Sequence, residues 1–309
     1  MFPDAGRRMN PPVEPRPAST LILVRDGDGD GDGDGAQDAG RLEVLLVQRN
    51  VLADFVGGAH VFPGGGVDVE DASEEARDLS AGRSDAEASA LLGTPPGGIG
   101  YWVAALRECF EEAGILLAYR SAEPAGGPGR VRSLLSLDDP DDSGRFHRLR
   151  AHVNSGRRSF LDVCRSEGLT LACDLVHYFA HWVTPEMSPR RYDTRFFVAA
   201  APTGQVPLRD EREIVGEIWI SPGEALRRRR EGEIDLVLPT VRCLQAMSRF
   251  PTAGALLAAV ALAGAANGPT EPQDGPPGAP RMVREGQGLR IALPGDPGPL
   301  TAGSAQIIR

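Results

Sequence analysis

Apolar positions run in short blocks, and charges or turn residues bound each block. "STLILVRD" (19–26) and "RLEVLLVQR" (41–49) are nearly unbroken apolar runs of strand length, which predict strands buried on both faces. "DLVHYFAHWVTP" (174–185), "RYDTRFFVAAAP" (191–202) and "IVGEIWIS" (214–221) have the same character. Helical spacing appears at 73–93, with Ser73 placed as N-cap, and at 101–113, which Gly114 ends at the position expected of a left-handed C-cap. Residues 130–167 read as mostly helical. "SPGEALRRRREGE" starts a helix with Ser221 as N-cap and Pro222 behind it, and "LPTVRCLQAMSRF" (238–250) is another. The order is strands, helix, helical insertion, strands, helices. It predicts an α+β fold with a mixed central sheet rather than a regular βαβ alternation.

Punctuation residues divide the chain. Residues 1–17 are Pro-rich and expected to be disordered. "GDGDGDGDGAQDAG" between the first two strands lacks the Glu of an EF-hand loop and the large apolar residues of repeat-type calcium motifs, so it reads as a solvated hairpin loop. "AEPAGGPG" (122–129) reads as a linker. The chain is again Gly/Pro-rich after residue 266, with "RMVREGQGLRIAL" (281–293) able to pair as a small hairpin.

Composition narrows the function classes. The net charge of −10 argues against nucleic acid or an anionic membrane as partner through bulk charge. "TAGALLAAVALAGAA" (252–266) is too short to span a bilayer and reads as a buried or capping helix. Cys109, Cys164, Cys173 and Cys243 form no CxxC pair, and the N-terminal segment has no apolar core of a signal peptide. The expected setting is the cytoplasm, with reduced thiols.

The densest chemistry lies in "ALRECFEEAGILLA" (104–117). On a helix Glu108 shares a face with Glu111 and Glu112, and Arg107 with Glu111, while Leu106, Cys109, Phe110 and Ala113 lie largely on the other side. Such a carboxylate set suits a hard divalent cation. It also suits a merely solvated helix face. The turn "FPGGG" (62–66) weighs toward the cation, because glycines let a backbone approach a metal or phosphate closely.

Together these segments resemble the Nudix box: Gly, five residues, Glu, seven residues, then Arg-Glu-apolar-x-Glu-Glu-x-Gly-apolar. Gly65 opens it, preceded by Gly64. Arg107, Glu108, Cys109, Glu111, Glu112, Gly114 and Ile115 close it. Two departures stand out. Asp71 occupies the place of the first Glu, and Arg107 follows Gly65 by 42 positions where an uninterrupted box has 14. An insertion at 73–100 splits the motif. With "LLVQR", "HWVTPEMSPRRYDTRFFVA" and "EIWISPGEAL…LPT", the chain resembles, over 18–250, the Nudix branch that includes peroxisomal coenzyme A diphosphatases with an interrupted box. A shorter coenzyme A motif is matched at Arg49, Gly58 and Phe62 to Gly65, but Asn50 and Asp54 depart from it, and Asp54 reverses a charge.

The resemblance implies an αβα sandwich over 18–265, with a helical insertion at 130–167, and a tail at 266–309. It implies a pyrophosphatase that uses Mg²⁺ or Mn²⁺ to cleave a nucleoside diphosphate linked to another group, such as coenzyme A or acyl-coenzyme A. Glu108, Glu111, Glu112 and Gly65 would hold the metal, and Arg107 would brace the helix against Asp71. The general base stays open among Glu108, Glu111 and Glu217. Arg49, Phe62, Arg191 and Arg195 are the substrate-binding candidates, with Tyr192 and Trp182 as further stacking candidates. The alternatives are a non-catalytic nucleotide-binding Nudix module and a pyrophosphatase for NADH, ADP-ribose or nucleotide sugars.

Overall fold

The computed structural model describes residues 13–27, 40–50, 57–121, 132–184, 186, 188–208, 214–266, 281–285 and 288–292. The Asp-Gly loop (28–39), Asp54 and the 122–129 linker lie outside them, as do residues 1–12 and most of the tail.

Strand β1 (Arg16–Asp26) is the axis of the fold. Leu21 and Leu23 enter one apolar core, and Ile22 and Val24 enter a second on the opposite face. Alternation therefore gives no polar face here, because helices cover both sides of the sheet. β1 pairs antiparallel with β2 (Leu42–Arg49) on one side and parallel with β9 (Tyr192–Ala200) on the other. Beyond β9 lies β8 (His177–Val183), and beyond β2 lies β10 (Ile214–Ile220). Two short pieces, β3 (His60–Val61) and β4 (Gly64–Gly66), pair with β2 and β1. The hairpin β11 (Arg281–Glu285) and β12 (Gly288–Ala292) extends the sheet at β8 through Arg290 opposite Ala180. A small second sheet has the order β6 (Arg132–Leu134), β5 (Ala118–Ser121), β7 (Leu169–Leu171). The result is an α+β sandwich with a mixed central sheet and helical insertions.

One face is covered by α3 (Ile99–Ala113), whose Trp102 is fully buried, stacks on Phe197 at 4.5 Å and donates to the Val176 carbonyl at 2.9 Å. The other face is covered by α6 (Pro222–Arg230), α7 (Leu238–Met247) and α8 (Ala253–Ala266). α8 packs Leu256, Val260 and Ala263 into that core. No helix among the described residues is long and apolar enough to cross a membrane.

The interrupted stretch differs from a single helix. It forms a 3-10 turn (Val69–Ala72), α1 (Glu74–Asp78) and α2 (Asp85–Leu92). The break falls at Ser80, which bridges to Leu171, so pairing to a strand ends the first helix after one turn. Similarly, 130–167 begins as β6 before α4 (Pro140–Asn154) and α5 (Phe160–Ser166).

The excursion returns to cap the helix that follows it. Gly98 is not a side-chain cap for α3. Asp85 instead accepts from Gly97 and Ile99 N–H at 3.0 and 3.1 Å, and Ser89 Oγ accepts from Gly98 N–H at 2.9 Å. These bonds satisfy donors that a helix start otherwise leaves open. Asp85→Ala is expected to lower unfolding free energy by about 1–2 kcal/mol, measured as a lower urea midpoint at unchanged slope.

Candidate active site

The site begins with close approach of backbone to side chain. β4 runs against β1, with Gly64 opposite Thr20 and Gly65 opposite Ser19. A Cβ on Gly64 would lie 2.4 Å from the Ser19 carbonyl oxygen. One on Gly65 would lie 2.5 Å from the Glu108 carboxyl carbon. Glycine is needed here for space rather than for dihedral freedom. Gly64 N–H donates to Glu112 Oε2 at 2.9 Å, so the glycine strand touches two of the three box glutamates.

Arg107 ties the two halves of the motif together. Its Nε and Nη2 donate to the two Asp71 oxygens at 3.0 and 2.9 Å. Nη2 also reaches the Gly66 carbonyl at 2.8 Å. Nη1 donates to Glu108 at 2.8 Å and lies 3.5 Å from Glu111. Asp71 is 2% exposed and also accepts from Asp68 N–H at 2.8 Å. Burial works against the Arg107 charge, but hydrogen bonding to Asp71 and the nearby carboxylates raise its pKa above the ordinary arginine value. Burial pushes Glu108 up to about 7, with Arg107 opposing it. Burial also raises Glu111, again against the pull of Arg107.

The far end of α3 is held by the second insertion. Gly114 takes φ +71° and closes the helix. Arg150 of α4 is 3% exposed. It donates to the carbonyls of Glu111 (2.9 Å), Glu112 (2.8 Å) and Leu208 (2.7 Å), and Asn154 adds a bond to the Glu111 carbonyl at 3.1 Å. A cation at a helix C-terminus complements the dipole. No spacing in the sequence signals Arg150, because its targets are carbonyls in a segment 38 and 39 positions away.

A cavity of about 270 Å³ opens beside the glycines. Its walls include Glu108, Glu112, Arg49, Phe62, Tyr192, Phe196 and Thr240. Arg49 Nη1 lies 3.8 Å from Glu112 Oε1. The cavity thus gathers Gly64, Gly65, Glu108, Glu112, Arg49 and Phe62. Glu111 lies one turn along on the same helix but is not among the lining residues. Glu217 sits opposite Val47 in the sheet, on the face of the α3 core, and does not line the cavity either.

Two of the candidate substrate-binding arginines lie off this cavity. Arg195 is buried on the α3 side of β9, ion-paired with Asp193 and 5.3 Å over the Tyr101 ring, and Asp193 also meets His181. Its strand neighbours Thr194 and Phe196 face the cavity instead, as the two-residue period requires. Arg191 is spent on the main-chain carbonyls of Thr184 and Val13. Trp182 likewise stays outside the cavity, whereas Tyr192 lines it.

Asp71→Ala is expected to lower unfolding free energy by about 3–5 kcal/mol, since it strands a buried guanidinium. The double variant Asp71→Ala/Arg107→Met should lose less than the sum of the two single variants. Urea denaturation of all four proteins checks this; additive losses would rule out the coupling.

Comparison with known proteins follows the same geometry. Residues 83–247 match the family described as NUDT19 Nudix domain, so the glycine strand lies just ahead of the matched span. "Acyl-coenzyme A diphosphatase NUDT19" of Gallus gallus is 32% identical over 222 residues, 64% of this chain and 58% of the relative. The protein of that name from Homo sapiens is 30% identical over 235 residues, 67% of this chain and 60% of the relative. The chain therefore spans about three-fifths of the length of these curated relatives. The crystal structure of a NUDIX hydrolase from Alicyclobacillus acidocaldarius is similar with a TM-score of 0.57 at 26% identity, covering 79% of this chain and 96% of that one. With more than half of its length inside the family span, and with both halves of the box joined through Arg107, the chain belongs to the NUDT19 Nudix domain family of the Nudix hydrolase superfamily.

Proposed function

We propose that this protein is a metal-dependent hydrolase that cleaves the pyrophosphate bond of a nucleoside diphosphate linked to another group, with coenzyme A or acyl-coenzyme A as the first substrates to test. The observation that carries this reading is the seating of the Glu108 carboxylate against Gly65, beside a cavity that also contains Arg49 and Glu112. The names of the curated relatives support the substrate class.

Nudix hydrolases generally require a divalent metal. Among the described residues, no three His, Cys, Asp or Glu side chains converge as a ready-made metal cage. The reason is visible in the hydrogen bonds. Glu108 and Glu111 turn toward Arg107, and Glu112 turns toward Gly64 N–H. The donor set nevertheless fits a hard cation: three carboxylates within two helical turns, and a glycine strand with no side chain in the way. In this reading Glu108, Glu111, Glu112 and the Gly65 carbonyl hold Mg²⁺ or Mn²⁺. A bound divalent cation supplies charge neutralisation at the diphosphate and a more acidic water.

The chain's own groups supply the rest. Arg107 fixes Glu108 and Glu111 relative to the loop. Arg49 offsets phosphate charge within the cavity, and Phe62 and Tyr192 give it flat walls. The proton acceptor is one of Glu108, Glu111 and Glu217. The position of Glu108 on the cavity wall, together with a pKa raised by burial to about 7, favours Glu108 over Glu217. The catalytic unit is proposed to span residues 18–265. Four buried, unpaired cysteines support a reducing, cytoplasmic setting.

A hydrolysis screen over coenzyme A, acyl-coenzyme A, NADH, ADP-ribose and nucleotide sugars, with Mg²⁺ and with Mn²⁺, tests the proposal. Product is expected only with metal, and Glu111→Gln or Glu112→Gln should lower kcat by about 100-fold or more. Equal turnover in wild type and both variants would overturn the site assignment. Nucleotide binding without turnover of any compound would favour a non-catalytic module.

A further inference from the structure

One part of the cavity wall carries hydrogen-bond donors that meet no acceptor among the described residues. α7 starts at the cavity wall, where Val237, Pro239 and Thr240 are lining residues. No side chain caps its N-terminus. The Thr240 N–H meets no acceptor among the described residues, Pro239 has no N–H, and Leu238, 60% exposed, does not line the cavity. Thr240 is 2% exposed, yet its hydroxyl makes no hydrogen bond to a described residue. Arg49 lines the same cavity, and its buried Nε is also without an acceptor.

Unmet buried donors are costly, and native proteins rarely keep several in one place without a ligand or water. Here the set combines a guanidinium, a hydroxyl and the positive end of a ten-residue helix. That combination selects an oxyanion over a neutral or cationic group. Glu112 only partly balances Arg49, because it stands 3.8 Å away and already accepts from Gly64 N–H. Volume restricts the ligand further. About 270 Å³ is at or below the small end of ligand pockets, so the cavity encloses one phosphorylated fragment and leaves the remainder of a large substrate outside.

We propose that Arg49 Nε and the hydroxyl and N–H of Thr240 at the start of α7 form a second anion subsite, which takes a phosphoryl group of the substrate other than the one held at the box glutamates. The proposal rests on the pyrophosphatase reading for the identity of the substrate, but not for the presence of the subsite. It makes Thr240 and the α7 N-terminus determinants of specificity for substrates that carry an additional phosphoryl group.

The test is inorganic phosphate titrated into isotope-labelled, metal-free protein in EDTA, followed by amide NMR. The Thr240 amide is expected to shift and saturate. Thr240→Val, which keeps the side-chain volume, should weaken phosphate binding about tenfold, and Arg49→Gln by at least as much, while Thr240→Ser should bind as wild type does. Unchanged melting temperatures identify folded variants. In turnover, Thr240→Val should raise KM with kcat little changed. Shifts confined to other residues, or an affinity that neither Thr240→Val nor Arg49→Gln alters, would mean an adventitious ion only and overturn the proposal. Phosphate binding at Thr240 in a protein that hydrolyses none of the screened compounds would sustain the subsite and defeat the pyrophosphatase reading. Hydrolysis by a wild-type protein whose Thr240 amide does not respond would do the reverse.

Discussion

The Arg107–Asp71 pair is the constraint on which the site depends. Asp71 belongs to the loop side of the interrupted box and Arg107 to the helix side, 36 positions later. Both are largely removed from water, so neither can swing away without stranding the other. The planar guanidinium is what lets one side chain do this. Two of its nitrogens face Asp71, one of those also reaches the Gly66 carbonyl, and the third faces Glu108 and Glu111. Lysine has no such fork. Asp71 stands where the motif has Glu, and its shorter reach suffices because the 3-10 turn at Val69–Ala72 brings it to the guanidinium while Asp68 N–H donates to the same Oδ2 that accepts from Arg107 Nη2.

The interruption holds the site rather than loosening it. Asp85 and Ser89, inside the first insertion, satisfy the opening N–H groups around the start of α3. Arg150 and Asn154, inside the second, satisfy the closing carbonyls, including those of the two adjacent box glutamates. The helix that carries the box carboxylates on one face has its other faces in a core. Its rotation about its axis is therefore set by Trp102, Phe110 and their neighbours, and its position along the axis by these end contacts. The insertions thus have a structural use that their length alone does not reveal.

What could be read from the sequence followed from local rules. Strand runs, Ser73, Ser221 and Gly114 are short-range signals, and each appears in the element expected of it. The box residues were legible because their order is specific. Sheet order was not, since nothing local makes β1 pair in parallel with a strand that begins at Tyr192. The position of Arg195 off the cavity has the same origin. A basic cluster at a strand start looks like an anion site, but which alternate residues face the cavity is decided by register with β1, where Ser19 lies opposite Arg195 and points its hydroxyl to the Tyr101 carbonyl under α3. Arg150 and Thr240 carried no signal, because their environment is made by segments distant in sequence.

The crowding of Glu108, Glu111 and Glu112 now has a physical account. Like charges three and four residues apart disfavour an isolated helix. Burial adds to that cost, and it is burial that raises Glu108 and Glu111 above the ordinary carboxylate range. A solvated helix face would relax by turning its carboxylates outward. These are held instead, because Arg107 donates to Glu108 and lies near Glu111, and Gly64 N–H donates to Glu112. The fold therefore maintains an arrangement that is unfavourable for its own stability in one place, supported by the Arg107–Asp71 bridge and by the capping at both ends of α3. Such local frustration, kept by surrounding structure, is the kind that clusters at functional sites. It also explains why the bracing residues lie outside the cavity while the strained ones line it or adjoin it.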